Sequence, residues 1–441
     1  MKAFILRCGI NDSSLRFQMA QYFLLIYILS ISFQRFFFLD RIAYKIQLPE
    51  ILFVLIAICA YKDISTKIIR IMWPVWLFLG WIWINSLYHN DFDSWMEVLG
   101  LTYLSGLALI TGSIVERSDT PFLKTVIAVF IIGVTLQVGV GLYGYVLNFL
   151  GIHTKLLLFY ESYPLIGDVY RMKGYCSHPL SLGNLIITAL IFIPFVKIPY
   201  RSLWALILGL GLLLTFTKAI LIAFAALGFV IAIYINKTNF KRLVLAISFI
   251  VLALHVYLTH FTLPLTPFEA NQNNKAFYWN NHVVWSFGEK HIYSTSYYVL
   301  KQKSIQAVLQ HPLMGVGGGN TNDYNLLNYN PSTDVKNIIL YDPHSLYFGA
   351  AAEYGFVGLA LLLLLVYLMG RTLFRLKDKA FKPELFYGFI LLYLFFLLEG
   401  ISSDIINNRQ IWIFGGIAIV VFLNFSKESN HTLVSNEYIS V

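Results

Sequence analysis

Three stretches of the 441-residue chain hold the residues whose types and spacing could do chemistry. YRMKGYCSHPLSLGN (170–184) carries Arg171 and Lys173, and TFTKA (215–219) carries Lys218. HPLMGVGGGN (311–320) is followed, after a polar connection, by DPHSLYFGAAAEYGFVG (342–358). The first two stretches border apolar runs, and neither contains a carboxylate. A cation in such a place is costly unless an anion meets it. Snorkelling toward lipid phosphates accounts for any one of the three taken alone. Their convergence on one face favours a bound phosphate or pyrophosphate, to which arginine offers a bidentate fork and lysine a point charge. His344 follows Pro343 at the start of an apolar run and is neutral at physiological pH, so it could take a proton from a sugar hydroxyl. A histidine at a helix entrance is otherwise a cap or a structural donor. The glycines of GVGGGN, with Gly315 and Gly317 among them, allow close approach of the backbone to a ligand, or unusual dihedrals. They are not a Walker loop, since no Gly-Lys-Ser/Thr follows.

The elements that position these residues are membrane helices. The chain is 58% hydrophobic and 17% aromatic with 12% charged residues, a composition that requires the bilayer as solvent. The net charge of +9 therefore orients helices and is not read as a sign of nucleic-acid binding. Cys8, Cys59 and Cys176 are widely spaced, which suggests neither a disulfide framework nor a zinc site, and no metal or other cofactor is expected. Lys2, Arg7, Asp12 and Arg16 interrupt the first apolar residues, so the first span reads as an uncleaved anchor.

Apolar runs predict twelve spans, near 18–35, 47–61, 71–88, 95–115, 122–149, 182–196, 203–216, 219–236, 243–260, 345–369, 385–401 and 411–425. With the N-terminus inside, the cytoplasmic loops hold Lys62, Lys67 and Arg70; Lys197 and Arg201; Lys237, Lys241 and Arg242; and Arg371, Arg375, Lys377, Lys379 and Lys382. That is the asymmetry the positive-inside rule asks for, with the loop of Arg35, Arg41 and Lys45 as its exception. The expected organisation is five spans in 1–150 and four in 151–260, preceded by an extracytoplasmic loop at 151–181. A large periplasmic loop at 261–343, three spans in 344–425 and a cytoplasmic tail at 426–441 complete it. The large loop is too aromatic for a disordered linker. Within it, residues 297–310 predict a short amphipathic helix on the membrane surface, with Lys301 and Lys303 turned away from its apolar positions. No internal repeat relates the two halves, which weighs against the competing class of a flippase built by duplication.

HPLMGVGGGN, then His344-Ser-Leu-Tyr-Phe, then Glu353-Tyr-Gly-Phe-Val-Gly resembles the signature of the O-antigen ligase and O-antigen polymerase superfamily. Arg171-Met-Lys-Gly with His178-Pro179 looks like that family's Arg-x-x-Gly-x-x-x-x-Pro element, and Thr217-Lys218 stands at its Ser-Arg turn. The resemblance covers roughly 165–370. It implies an all-α, GT-C-like membrane fold and a metal-independent, inverting glycosyltransferase. The donor would be an undecaprenyl-diphosphate-linked glycan and the acceptor a glycan or lipid A core, with membrane lipids as surroundings. His344 then matches the base that activates the acceptor hydroxyl. Arg171 and Lys218, with Lys173, match the cations that hold the diphosphate. Tyr297 stands where the family commonly has an arginine, and Lys301 or Lys303 is expected to substitute. His311, Gly315, Gly317, Tyr347 and Glu353 are expected in support. Lys218 in place of arginine keeps the charge and loses the fork.

Overall fold

The computed structural model describes residues 12–33, 47–163, 167–234, 237–262, 283–288, 290–294, 296–322, 343–375 and 384–437. Arg35, Arg41 and Lys45, and Lys377, Lys379 and Lys382, lie outside them, as does much of the loop at 261–343.

Over its described residues, each of the twelve apolar runs overlaps a helix. In chain order these are α1 (Asp12–Ser30), α2 (Leu48–Ala60), the short α3 (Thr66–Ile71), α4 (Trp73–His89), α5 (Phe92–Arg117) and α6 (Thr120–Phe149). They continue as α7 (Pro179–Phe192), α8 (Arg201–Leu214), α9 (Ala219–Tyr234) and α10 (Thr238–His260). After α11 (Ser296–Gln310) come α12 (Leu346–Arg375), α13 (Glu384–Glu399) and α14 (Arg409–Glu437). Among the described residues four stretches, Phe92–Arg117, Thr120–Phe149, Thr238–His260 and Leu346–Leu373, are long and apolar enough to cross a membrane, and five further apolar helices are shorter. The chain is a helical membrane protein.

Among the described residues, strands are confined to the two long connections. β1 (Leu157–Tyr163) and β2 (Gly167–Met172) pair antiparallel, with Leu158 opposite Arg171. β3 (Phe261–Thr262), β4 (Val283–Phe287) and β5 (Lys290–Ser294) form a sheet in the order β3-β5-β4. β2 packs onto the helices, its Met172 lying in their core against Gly141 of α6.

Small residues and rings build the core. Helices α5 and α14 touch backbone to backbone at Gly112 and Gly416, where a Cβ on Gly416 would meet Ala108 O at 2.2 Å. Packing of this kind drives association where lipid competes equally for apolar side chains. Phe414 stacks on Phe192 of α7, ring centroids 4.8 Å apart, and meets Phe130 of α6 edge-on at 5.0 Å.

Candidate active site

The three sequence stretches meet at one end of the bundle, and two separate constructions stand there. The first gathers cations. Tyr145 of α6 donates from its hydroxyl to Tyr170 O and, at 3.3 Å, to Leu214 O, tying the end of β2 to the end of α8. Arg171, next along β2, is buried, donates from Nε to Thr215 O at 3.0 Å, and carries its guanidinium over the Tyr160 ring at 5.6 Å. Lys218 sits in the turn between α8 and α9, its ammonium donating to Leu258 O near the end of α10. Burial lowers the Lys218 pKa to about 8, helped by the charge of Arg171.

Helix α10 adds two histidines at this end. His255 Nδ1 faces Lys218 O at 3.1 Å, which can only accept, so Nδ1 is the donor and Nε2 accepts from the Ser402 hydroxyl at 2.8 Å. His260 Nδ1 donates to Val256 O at 2.7 Å by the same logic, leaving Nε2 to accept from Lys301 Nζ. The Lys301 ammonium lies 5.8 Å from the centroid of the Phe348 ring. Its pKa is lowered by burial to about 8. Tyr297, one turn earlier on α11, has its ring centroid 5.0 Å from that of His344. Arg171, Lys218, Lys301 and His344 are thus connected through α10 and α11.

Helix α11 forms where periodicity predicts it, but its orientation differs from the expected one. Lys301 and Lys303 are only 7% and 4% exposed, whereas Ile305 and Leu309 are 47% and 70% exposed. The lysines turn inward because His260 and the Thr321 carbonyl receive their protons. Two residues apart on a helix, they face nearly opposite sides. Lys301 therefore joins the cation cluster, while Lys303 donates to Thr321 O at 3.2 Å on the side of the glycine-rich loop. Lys173 is buried at the turn after β2, where its amide donates to Leu156 O at 3.2 Å. His178 caps α7, its Nδ1 accepting from Leu180 N at 3.3 Å.

The second construction joins the glycine-rich loop to α12. That helix breaks at Gly355, whose φ of 68° and ψ of −174° end its hydrogen-bond ladder. The freed carbonyls are taken up by the loop: Val316 N donates to Ala352 O at 2.9 Å and Gly317 N to Glu353 O at 3.0 Å. In return Phe356 N donates to Pro312 O at 2.8 Å, and Trp81 Nε1 of α4 closes the set on Tyr354 O at 3.0 Å. The chains approach so closely that a Cβ on Gly315 would meet Glu353 O at 2.5 Å and one on Gly355 would meet Leu313 O at 2.1 Å. Both glycines also have positive φ. The backbone freedom of GVGGGN thus serves a helix break. Glu353 belongs to this seam, its carboxylate accepting from the Thr321 hydroxyl at 3.3 Å. His311 ends α11, its amide donating to Ala307 O at 2.9 Å and its carbonyl accepting from Gly315 N at 2.9 Å. Gly355→Ala is expected to cost more than about 2 kcal/mol, since strain and overlap coincide. Gly349→Ala, in the same helix with open space around the added methyl, should be silent. Melting of the detergent-solubilised variants checks this, and equal Tm values for the two would count against the seam.

His344 itself has a φ of 48°, rare for a residue with a side chain. The strain is held by its successors: Ser345 Oγ donates to Gly400 O at 3.0 Å, and Leu346 N reaches Gly400 O at 2.9 Å and Ser403 O at 3.1 Å. Tyr347 anchors the same turn through its hydroxyl on Leu397 O at 2.7 Å. Phe216, in the turn of Lys218, is also left-handed at 47°. His255, His260 and Ser402 were not singled out from the sequence. The available signal was a pair of histidines five residues apart at the end of an apolar helix.

Residues 203–363 match the O-antigen ligase family. The resemblance read from the motifs is shown over that stretch, which holds Lys218, Lys301 and His344 and begins after Arg171. No curated protein matches the chain.

Proposed function

We propose that the chain, with its O-antigen ligase-like region at 203–363, is an inverting, metal-independent glycosyltransferase of the GT-C class. It transfers a glycan from undecaprenyl diphosphate to a glycan or lipid A core acceptor at the periplasmic face of the inner membrane. The loop charges support twelve spans, both termini in the cytoplasm, and the cation cluster outside.

The observation that carries the reading is the gathering of two buried cations, Arg171 and Lys301, and the half-buried Lys218 around one end of α10, near His344. Like charges brought together out of water are stabilised by an anion, and a diphosphate is an anion that two lysines and an arginine fork suit. In the reaction the acceptor oxygen attacks the anomeric carbon opposite the diphosphate and gives its proton to His344. The carbon–oxygen bond to the diphosphate breaks, and the charge that develops there falls on the three cations. This is the service a divalent metal performs in other transferases. An apolar cavity of about 800 Å³, lined at one end by Leu346 and Tyr347, two and three residues after His344, and also by Arg70, supports a lipid-borne substrate.

The purified chain in liposomes is expected to transfer glycan from a lipid-linked donor with chelator present. Donor affinity should fall above pH 8, because Lys218 and Lys301 titrate at about 8 when no anion is bound. Above that value binding must first protonate them, at a cost of up to about tenfold per lysine per pH unit. Lys218→Arg, which stays charged, should remove one of the two dependences. Absence of transfer overturns the reading, and affinity that does not change between pH 7 and 9.5 removes the lysines from the diphosphate site.

A further inference from the structure

Among the described residues, one of the buried titratable groups that the mechanism leaves unused is a carboxyl group. Glu399, the last residue of α13, is 1% exposed, and the turn that follows is folded around it. Its carboxylate accepts from Ser403 Oγ at 2.7 Å, and its carbonyl accepts from Ser402 N at 3.0 Å and Ser403 N at 2.9 Å. Asn184 of α7 is within hydrogen-bonding reach of the carboxyl group. A carboxyl group so far from water is expensive, and an apolar residue would fill the space at less cost.

The turn 400–403 makes contacts in two directions. Toward the base, Gly400 O and Ser403 O receive the protons of Ser345 and Leu346 that hold His344 in its left-handed conformation. Toward the cations, the Ser402 hydroxyl bonds His255, whose other nitrogen bonds the backbone of Lys218. One five-residue segment therefore touches the supports of both halves of the site, and Glu399 closes it.

We infer that Glu399 is a positioning residue: through Ser403 and Ser402 it fixes the distance and orientation between His344 and the Lys218 turn. The inference rests on the proposed glycosyl transfer for its catalytic consequence, but its structural content is independent of that chemistry. Misplacement of reacting groups by about 1 Å costs on the order of 10²-fold in rate.

Three variants of the full chain test it. Glu399→Leu keeps the bulk and loses the acceptor. Glu399→Gln keeps an acceptor for Ser403 and adds a donor toward Asn184. Ser403→Ala removes only the connecting hydroxyl. In the leucine and alanine variants, hydrogen exchange should quicken at both 345–350 and 253–260, and kcat should fall by at least about tenfold. The glutamine variant should stay within about threefold of wild type in both readouts. In a His344→Ala background, Glu399→Leu should add little, because residues acting through one another are not additive. Exchange that changes only at 399–404, kcat within twofold in both disruptive variants, or full additivity with His344→Ala would overturn the inference. If wild type transfers no glycan the proposed function fails alone, and the exchange measurement still decides the role of Glu399.

Discussion

Replacing Arg171 with alanine is expected to abolish glycan transfer, by about 10²–10³-fold or more, and to weaken binding of the lipid-linked donor. Arg171 reaches the site from β2, and its Nε–H on Thr215 O fixes the guanidinium against the turn that carries Lys218. The preorganised charge can stabilise the departing diphosphate without rearrangement, which is where such donors contribute most. Arg171→Lys should restore little, because an ammonium cannot hold Thr215 O through Nε and present a fork at the same time. A secondary effect provides a control. Loss of the neighbouring charge should raise the Lys218 pKa from about 8, since Arg171 contributes to its lowering. The residual donor affinity of Arg171→Ala should therefore depend less on pH near 8 than that of wild type. Equilibrium binding and single-turnover transfer measured on the same preparation separate the two effects. Full activity in Arg171→Ala would remove the residue from the site.

Much of this site was legible because its parts are local. The cation at the end of β2, the lysine in the turn between α8 and α9 and the Pro343-His344 step each announce themselves within a few residues. What escaped depends on contacts between distant segments. His260 becomes part of the cluster because Lys301, 41 residues later, turns onto it. The apolar face of α10 gave no reason to expect this, since a histidine in an apolar run is usually a satisfied core residue. Periodicity placed α11 correctly and its lysines wrongly, because the pattern assumes water on one side. The partners that draw Lys301 and Lys303 inward, His260 and the Thr321 carbonyl, lie outside the helix. The glycines of GVGGGN predict close backbone approach to a ligand or unusual dihedrals, and a chain they approach is α12 of the same protein. Glu399 was visible as an acid within an apolar run, and only the turn folded around it connects it with His344.

Replacing His344 with alanine should stop transfer while leaving donor binding nearly intact, which separates it from Arg171. A sugar hydroxyl is a poor nucleophile at neutral pH, and a positioned base contributes typically 10²–10⁴-fold. The local backbone supports such a role: a left-handed residue is strained by about 1–2 kcal/mol and persists only where its surroundings fix it. Here Ser345 and Leu346, bonded to Gly400 and Ser403, fix it at a φ of 48°. The imidazole leans on Tyr297, and Tyr297 is one turn from Lys301 on α11, so the proposed base stands near Lys301 without occupying its place. A proton taken from the acceptor would leave a positive imidazolium facing the developing diphosphate charge, a favourable pair at close range. Donor affinity should change by less than about threefold in His344→Ala, since the cations are untouched, while single-turnover transfer falls by at least about 10²-fold. If turnover remains near wild type, the base is another residue. His178, spent on capping α7, and His311, at the end of α11, are then the next two to replace.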